Sequence, residues 1–210
     1  MWKNVAGAVL AGAGLYGARR FYRNWGTTKD ECETPLPGDE LVKAPAVQTT
    51  EGVWIDAPAS AVWPWLVQLG QDRGGLYSYE SLENLVGLKL CNADRIHPEW
   101  QQLAVGDVIR LVPRGWLGLR DGLALPVAQI VDGQSIVLRV DPARLPWDGV
   151  WSFHVMPRWE DRCRLLVRNR SRMQVPGEVL GAELSGPVVS LMTRGMLLGI
   201  KRRAEAASRA

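Results

Sequence analysis

The side chains able to do chemistry in this sequence are few and scattered. His97 and His154 are the two histidines, far apart along the chain, which argues against a histidine-based zinc site. The three cysteines, Cys32, Cys91 and Cys163, are odd in number and lack C-x-x-C spacing. They read as reduced thiols in a cytoplasmic compartment, not as a secreted disulfide framework. Cys91 beside Asn92, with His97 nearby, makes no nucleophile–base pair, because proximity along a loop fixes no geometry. No catalytic residue, no metal site and no cofactor are assigned.

The stretch "GQDRGGLYSYESLENL", Gly70 to Leu85, is the richest in candidates. It lacks the G-K-[ST] ending of a phosphate-binding loop and the spacing of a dinucleotide site. A steric reading is better: Gly74 and Gly75 turn the chain at the lip of a pocket, and Tyr77 and Tyr79 cover the gap. Tyrosine can line a pocket and still offer a hydroxyl; packing of both rings between helix and sheet is the plainer alternative. Glu83 falls one helical turn after Tyr79, with Asn84 next to it. Either is a candidate for the few polar groups that orient an apolar ligand, or an ordinary surface residue, with Asn84 able to cap a loop.

Further candidates lie elsewhere. His97 and Trp100 share an irregular crossing. His154 alternates with Ser152 and Met156 on an expected strand, as the polar end of a cavity with Asn169 and Ser171 as partners, or as a satisfied core histidine. Trp151, on the same strand, is a bulky amphipathic wall residue. Met192 and Met196 adapt to varied apolar ligands, or are plain core.

Periodicity and punctuation indicate the elements that must position these groups. "VQTTEGVWIDAP" alternates as a first strand; Val62, Trp65, Leu66 and Leu69 form the stripe of a short helix confined by Pro58 and Pro64. A second short helix follows the glycine bend, with Ser78 as N-cap and Gly87 at its end. From Val105 onward short runs broken by Gly, Pro and Asp read as antiparallel strands, with Asp132–Gly133 as a hairpin signal. In the last run Arg164, Leu166, Arg168, Arg170 and Arg172 point one way, and Leu165, Val167, Asn169, Ser171 and Met173 the other. The basic side is expected to face water. "SGPVVSLMTRGMLLGIKRRAEAASRA" is expected to be a long C-terminal helix.

Three segments follow: an apolar helix over 1–26, a polar Pro-rich linker over 27–45, and a folded domain over 46–210. With 210 residues, 47% hydrophobic, the chain can bury a core without disulfides. A helix over residues 2–22 is about 31 Å long, near the thickness of a bilayer core. Arg19, Arg20 and Arg23 after it would hold the domain at the inner, cytoplasmic face of a membrane. A surface-lying helix, a signal peptide and a poorly ordered tail are the alternatives. The net charge of +3 lacks the dense basic face of a nucleic-acid binder.

The segment "WIDAPASAVWPWLVQLGQDRGGLYSYESLENLVGL", Trp54 to Leu88, resembles the opening of bacterial START-like (SRPBCC, polyketide cyclase-like) proteins. "NWGTTKDECETPLPGDELV" and "MLLGIKRRAE" resemble the same subgroup, so the likeness spans roughly 24–205. It implies an α+β helix-grip fold: a curved antiparallel sheet around a long C-terminal helix, with two short helices after the first strand. It also implies a cavity for a hydrophobic small molecule such as a lipid, an isoprenoid or an aromatic polyketide-like compound. Two other outcomes remain open within that fold: a cyclase or dehydratase-like enzyme using His154 or Tyr79, and a structural domain with no ligand.

Overall fold

Thr28 opens helix α1 (Lys29–Glu33) with a capping box: its hydroxyl accepts from the Glu31 amide, and the Glu31 carboxylate accepts from the Thr28 amide. The computed structural model describes residues 17, 19, 21–140, 147–173 and 176–209. After a 3-10 turn at Asp39–Leu41 come strand β1 (Val47–Ile55) and helices α2 (Ala59–Val67) and α3 (Glu80–Leu85). Five strands follow: β2 (Val108–Val112), β3 (Leu123–Val131), β4 (Ser135–Arg139), β5 (Asp148–Trp159) and β6 (Arg162–Arg172). Helix α4 (Pro176–Ala207) ends the fold.

The strands form one antiparallel sheet in the order β1-β6-β5-β4-β3-β2. The loop Asp132 to Gln134 joins the pair Val131 and Ser135, with Gly133 at φ +67°, so this hairpin turn has three residues instead of two. Register shifts within β2, β3 and β5 bend their strands. Helix α4 crosses the inner face, where Leu197, Ile200 and Ala204 pack with Val62, Trp65 and Leu66 of α2 and with Phe153, Leu165 and Val167 of the sheet. This is the α+β helix-grip fold.

The glycine bend is tied down at both ends. Gly70 and Gly75 exchange backbone hydrogen bonds of 3.0 and 2.8 Å. Gly75 sits at φ +80°, and a Cβ there would come within 2.6 Å of the Cys91 carbonyl oxygen, so both conformation and space require glycine. Ser78 does not cap α3, whose N-cap is Tyr79; the Ser78 hydroxyl instead donates to the Glu83 carboxylate.

Helix α4 starts well before the expected Ser185 and runs through Pro187. Proline has no amide hydrogen to give the preceding turn, and the Ser185 hydroxyl donates to the Gly181 carbonyl in that stretch at 2.9 Å.

Two sequence expectations change on the outer face of the sheet. Arg164 and Arg168 do not face water; they are 2% and 1% exposed. Residues 26–42 lie over them. Arg164 pairs with Glu31 at 2.7 Å and donates to the Gly26 carbonyl. Arg168 pairs with Asp39 at 2.6 Å and donates to the carbonyls of Glu31, Cys32 and Thr34. The stretch read as an extended linker therefore supplies the carboxylates and carbonyls that let guanidinium groups be buried.

Most of residues 2–22, the expected membrane segment, lie outside the described residues. At its end, Arg19 and Arg23 pair with Glu183 of α4 at 2.6 and 2.5 Å, instead of standing free for lipid headgroups. Among the described residues no helix is long and apolar enough to cross a membrane.

Candidate ligand cavity

Between the inner face of the sheet and the middle of α4 lies a cavity of about 390 Å³. Strand alternation explains where it begins. Leu165 and Val167 of β6 fill the core against α4, but the next two inward positions are polar, Asn169 and the short Ser171. On β5 the Trp151 ring tilts against Phe153 at 4.7 Å, so Phe153 belongs to the filled core and Trp151 to the cavity wall. Leu111 of β2, Leu123 and Leu125 of β3, and Val188, Met192 and Met196 of α4 complete an apolar lining. A wider depression of about 580 Å³ at residues 17–33 is bordered mainly by polar side chains, among them Asn24, Thr28, Lys29 and Glu33.

Glu83 is the one ionisable side chain among the described lining residues. It is 1% exposed, and its Oε1 accepts from the Ser78 hydroxyl while Oε2 has no partner among the described residues. Burial pushes its carboxyl above the usual range. The Ser78 hydrogen bond works against that rise, and the neighbouring Glu80 carboxylate adds to it.

Of the residues singled out in the sequence, Glu83, Trp151, Asn169, Met192 and Met196 come together around this space. Trp151 and Asn169 are direct cross-strand partners. The other six lie elsewhere.

Tyr77 does not line the cavity. Its ring is fully buried between α2 and α4, edge-on to Trp65 at 5.7 Å and beneath the Arg203 guanidinium at 5.0 Å. Burial pushes its phenol up to about 12. Tyr79 is 41% exposed and lays its ring on Gly195, where a Cβ would stand 2.7 Å from it. Neither ring forms a pocket lip: Tyr77 packs between two helices instead of between helix and sheet, and Tyr79 lies part-exposed on α4.

Asn84 closes a loop, accepting from the Leu90 amide at 2.6 Å and donating to the Leu90 carbonyl at 2.8 Å. His97 stacks on Trp100 at 4.2 Å in the crossing after α3, with Nδ1 3.1 Å from Glu99. His154 lies on the opposite face of the sheet, because β5 alternates and Trp151 and Phe153 already face inward. Its Nε2 is 2.9 Å from the Ser152 hydroxyl. Burial, then Arg168, holds its imidazole down to about 4, with Asp39 opposing. Asn169 and Ser171 face the other way and are not its partners.

Ser78 and Thr193 also line the cavity and were not singled out. Ser78 precedes Glu83 by five positions, and only the Tyr79 turn brings the two side chains together. For Thr193, the stripe of Met192 and Met196 was the available signal.

No family model matches the chain, and no curated protein matches it in sequence. Among solved structures it is similar to a conserved protein from Geobacillus kaustophilus, 11% identical over 77% of this chain and 97% of that one, TM-score 0.45. It is similar to a Thermobifida fusca protein solved by NMR, 14% identical over 76% and 93%, TM-score 0.48. It is also similar to truncated norcoclaurine synthase from Thalictrum flavum, 15% identical over 75% and 96%, TM-score 0.43. The chain's own architecture, a six-stranded antiparallel sheet gripping a long C-terminal helix behind two short ones, is the START-like helix-grip fold.

Proposed function

We propose that this chain binds a hydrophobic small molecule, of lipid, isoprenoid or aromatic polyketide-like character, between its sheet and α4. One observation carries the reading: an apolar cleft of about 390 Å³ stays unfilled between the sheet and α4, beside the packed core. Protein interiors pack densely and leave few voids larger than a water molecule. Ligand cavities typically run from about 300 to 1,000 Å³ and are lined mainly by apolar side chains with a few polar ones. Methionine at two lining positions suits an occupant of variable shape. A cyclase-like reaction would need a second poised acid or base beside Glu83, and the binding reading needs none.

The test is native mass spectrometry of the protein purified from its natural host, with extraction of whatever co-purifies. Wild-type protein is expected to carry an apolar compound, or to take up an apolar probe. Met192→Trp, which fills the space from the helix side, is expected to do neither. Ligand-free wild-type protein that takes up no apolar probe would overturn the reading. Association of residues 2–22 with a membrane belongs to the same proposal, and fractionation of the full chain beside a variant lacking residues 1–16 tests it.

A further inference from the structure

Glu83 places a carboxylate in the wall of an apolar cavity, and one of its oxygens, Oε2, has no partner among the described residues. The other oxygen is taken by the Ser78 hydroxyl. No lysine, arginine or histidine is among the described lining residues. Three cations of α4 are committed elsewhere: Arg203 covers Trp65 and Tyr77, Arg194 covers Phe21 and Trp25, and Lys201 pairs with Glu205. Among the described residues, the charge that acts on Glu83 is Glu80, of the same sign.

A buried carboxylate without a counter-charge is costly, and the cost falls when an opposite charge with a hydrogen to donate is brought to it. A ligand hydroxyl would supply the hydrogen but not the charge. A ligand carboxylate or phosphate would add a second negative charge to the same small space. A protonated amine supplies both hydrogen and charge.

Resting on the cavity reading above, we infer that the ligand is a lipophilic amine, its ammonium group at Glu83 Oε2 and its apolar body along Trp151, Leu125 and Met192. The site then selects by charge at one end and by shape along the rest. Discrimination comes from the carboxylate, because the apolar walls alone would accept an alcohol or an acid of the same chain length equally well.

The experiment uses the full chain and three probes of equal length: decylamine, decanol and decanoate. Binding is read by calorimetry and by the change in tryptophan fluorescence, to which Trp147 and Trp151 of the lining contribute. Decylamine is expected to bind at least about tenfold tighter than decanol, with decanoate weakest. Glu83→Gln keeps the size of the side chain and removes its charge. It is expected to erase the preference for the amine, so that decylamine and decanol bind alike. Met192→Trp should weaken all three, which assigns the binding to this cavity. Decanol binding as tightly as decylamine, or decanoate binding best, overturns the amine and leaves the cavity reading standing. Binding of none of the three overturns both. The ranking on wild-type protein requires no variant to fold.

Discussion

The carbonyl of Tyr77 lies so close to Gly199 of α4 that a Cβ on Gly199 would overlap it. Tyr77 itself sits at φ +58°, an uncommon conformation for a bulky residue, which turns its carbonyl toward the helix and its ring into the core. The obstacle is backbone, so no side-chain rotation relieves it.

Gly199→Ala is therefore expected to destabilise the protein by about 1–3 kcal/mol or more, read as a lower denaturation midpoint. Gly181, on the same helix, has nothing within 4 Å of where its Cβ would stand. Gly181→Ala should be neutral or stabilising by up to about 1 kcal/mol, from helix propensity alone. Equal effects at the two positions would show that α4 does not rest on the Tyr77 carbonyl.

Arg168 is the deepest guanidinium on the outer face, and all its partners come from β1 or from residues 31–39. Arg168→Met leaves Asp39 and three carbonyls short of a donor, and is expected to cost about 3–5 kcal/mol. Arg172, exposed near the end of the same strand, provides the contrast. Arg172→Met should stay within about 0.5 kcal/mol. Urea denaturation of the two variants separates a clamped segment from a loosely laid one.

The alternation of β6 was legible because its arginines, at 164, 168, 170 and 172, all fall an even number of positions apart, and both faces follow from that spacing. What covers a face is not written in the strand. The cover comes from more than a hundred positions earlier, in a stretch whose prolines suggested a linker. Its acids, Glu31 and Asp39, were the available signal, since carboxylates in number can satisfy a row of arginines. The cavity is a different case. Met192, Met196 and Asn169 could be named from periodicity, but an empty volume depends on how far neighbouring side chains reach, which pattern does not encode. The tyrosines show the same limit: residue type suggested a pocket lip, and the turn at Tyr77 decided otherwise.

Glu51, on β1 beneath α4, is 3% exposed, with its carboxyl pushed up to about 8 by burial, against the pull of Ser190 and Arg194. The Ser190 hydroxyl lies between the Tyr22 carbonyl, at 2.5 Å, and Glu51 Oε2, at 2.9 Å. If its single hydrogen goes to Tyr22, a protonated Glu51 completes the chain by donating to Ser190. Between the ordinary 4.5 and about 8, the folded protein holds a proton that the unfolded chain has released. Its stabilising contribution is full below pH 4.5 and is lost as pH rises through 8. His154 has the opposite sign: its contribution is present above pH 6.5 and is lost as pH falls through about 4. The window from pH 6.5 to 8 therefore separates Glu51 from His154. Wild-type stability should fall across it, by at most about 1.4 kcal/mol per pH unit for Glu51. Glu51→Gln should flatten that slope, and an unchanged slope would show that Glu51 is ionised beneath α4.

Trp151 and His154 stand three residues apart on β5 and face opposite sides of the sheet, so they should answer different measurements. Trp151 forms cavity wall beside Asn169, whereas His154 packs outward with Ser152 beneath the segment that covers Arg168. Trp151→Ala widens the cavity, and is expected to shift uptake toward longer apolar probes and to cost about 3–5 kcal/mol of stability. His154→Asn leaves the cavity wall untouched and should leave probe affinity unchanged. It should instead remove the loss of stability otherwise expected between pH 6.5 and 4, because asparagine cannot take up the proton that the buried imidazole resists. The paired measurement is probe affinity at neutral pH and denaturation midpoint against pH, for both variants. A change in probe affinity for His154→Asn as large as that for Trp151→Ala would mean that the cavity reaches through to the outer face, contrary to the alternation of the strand.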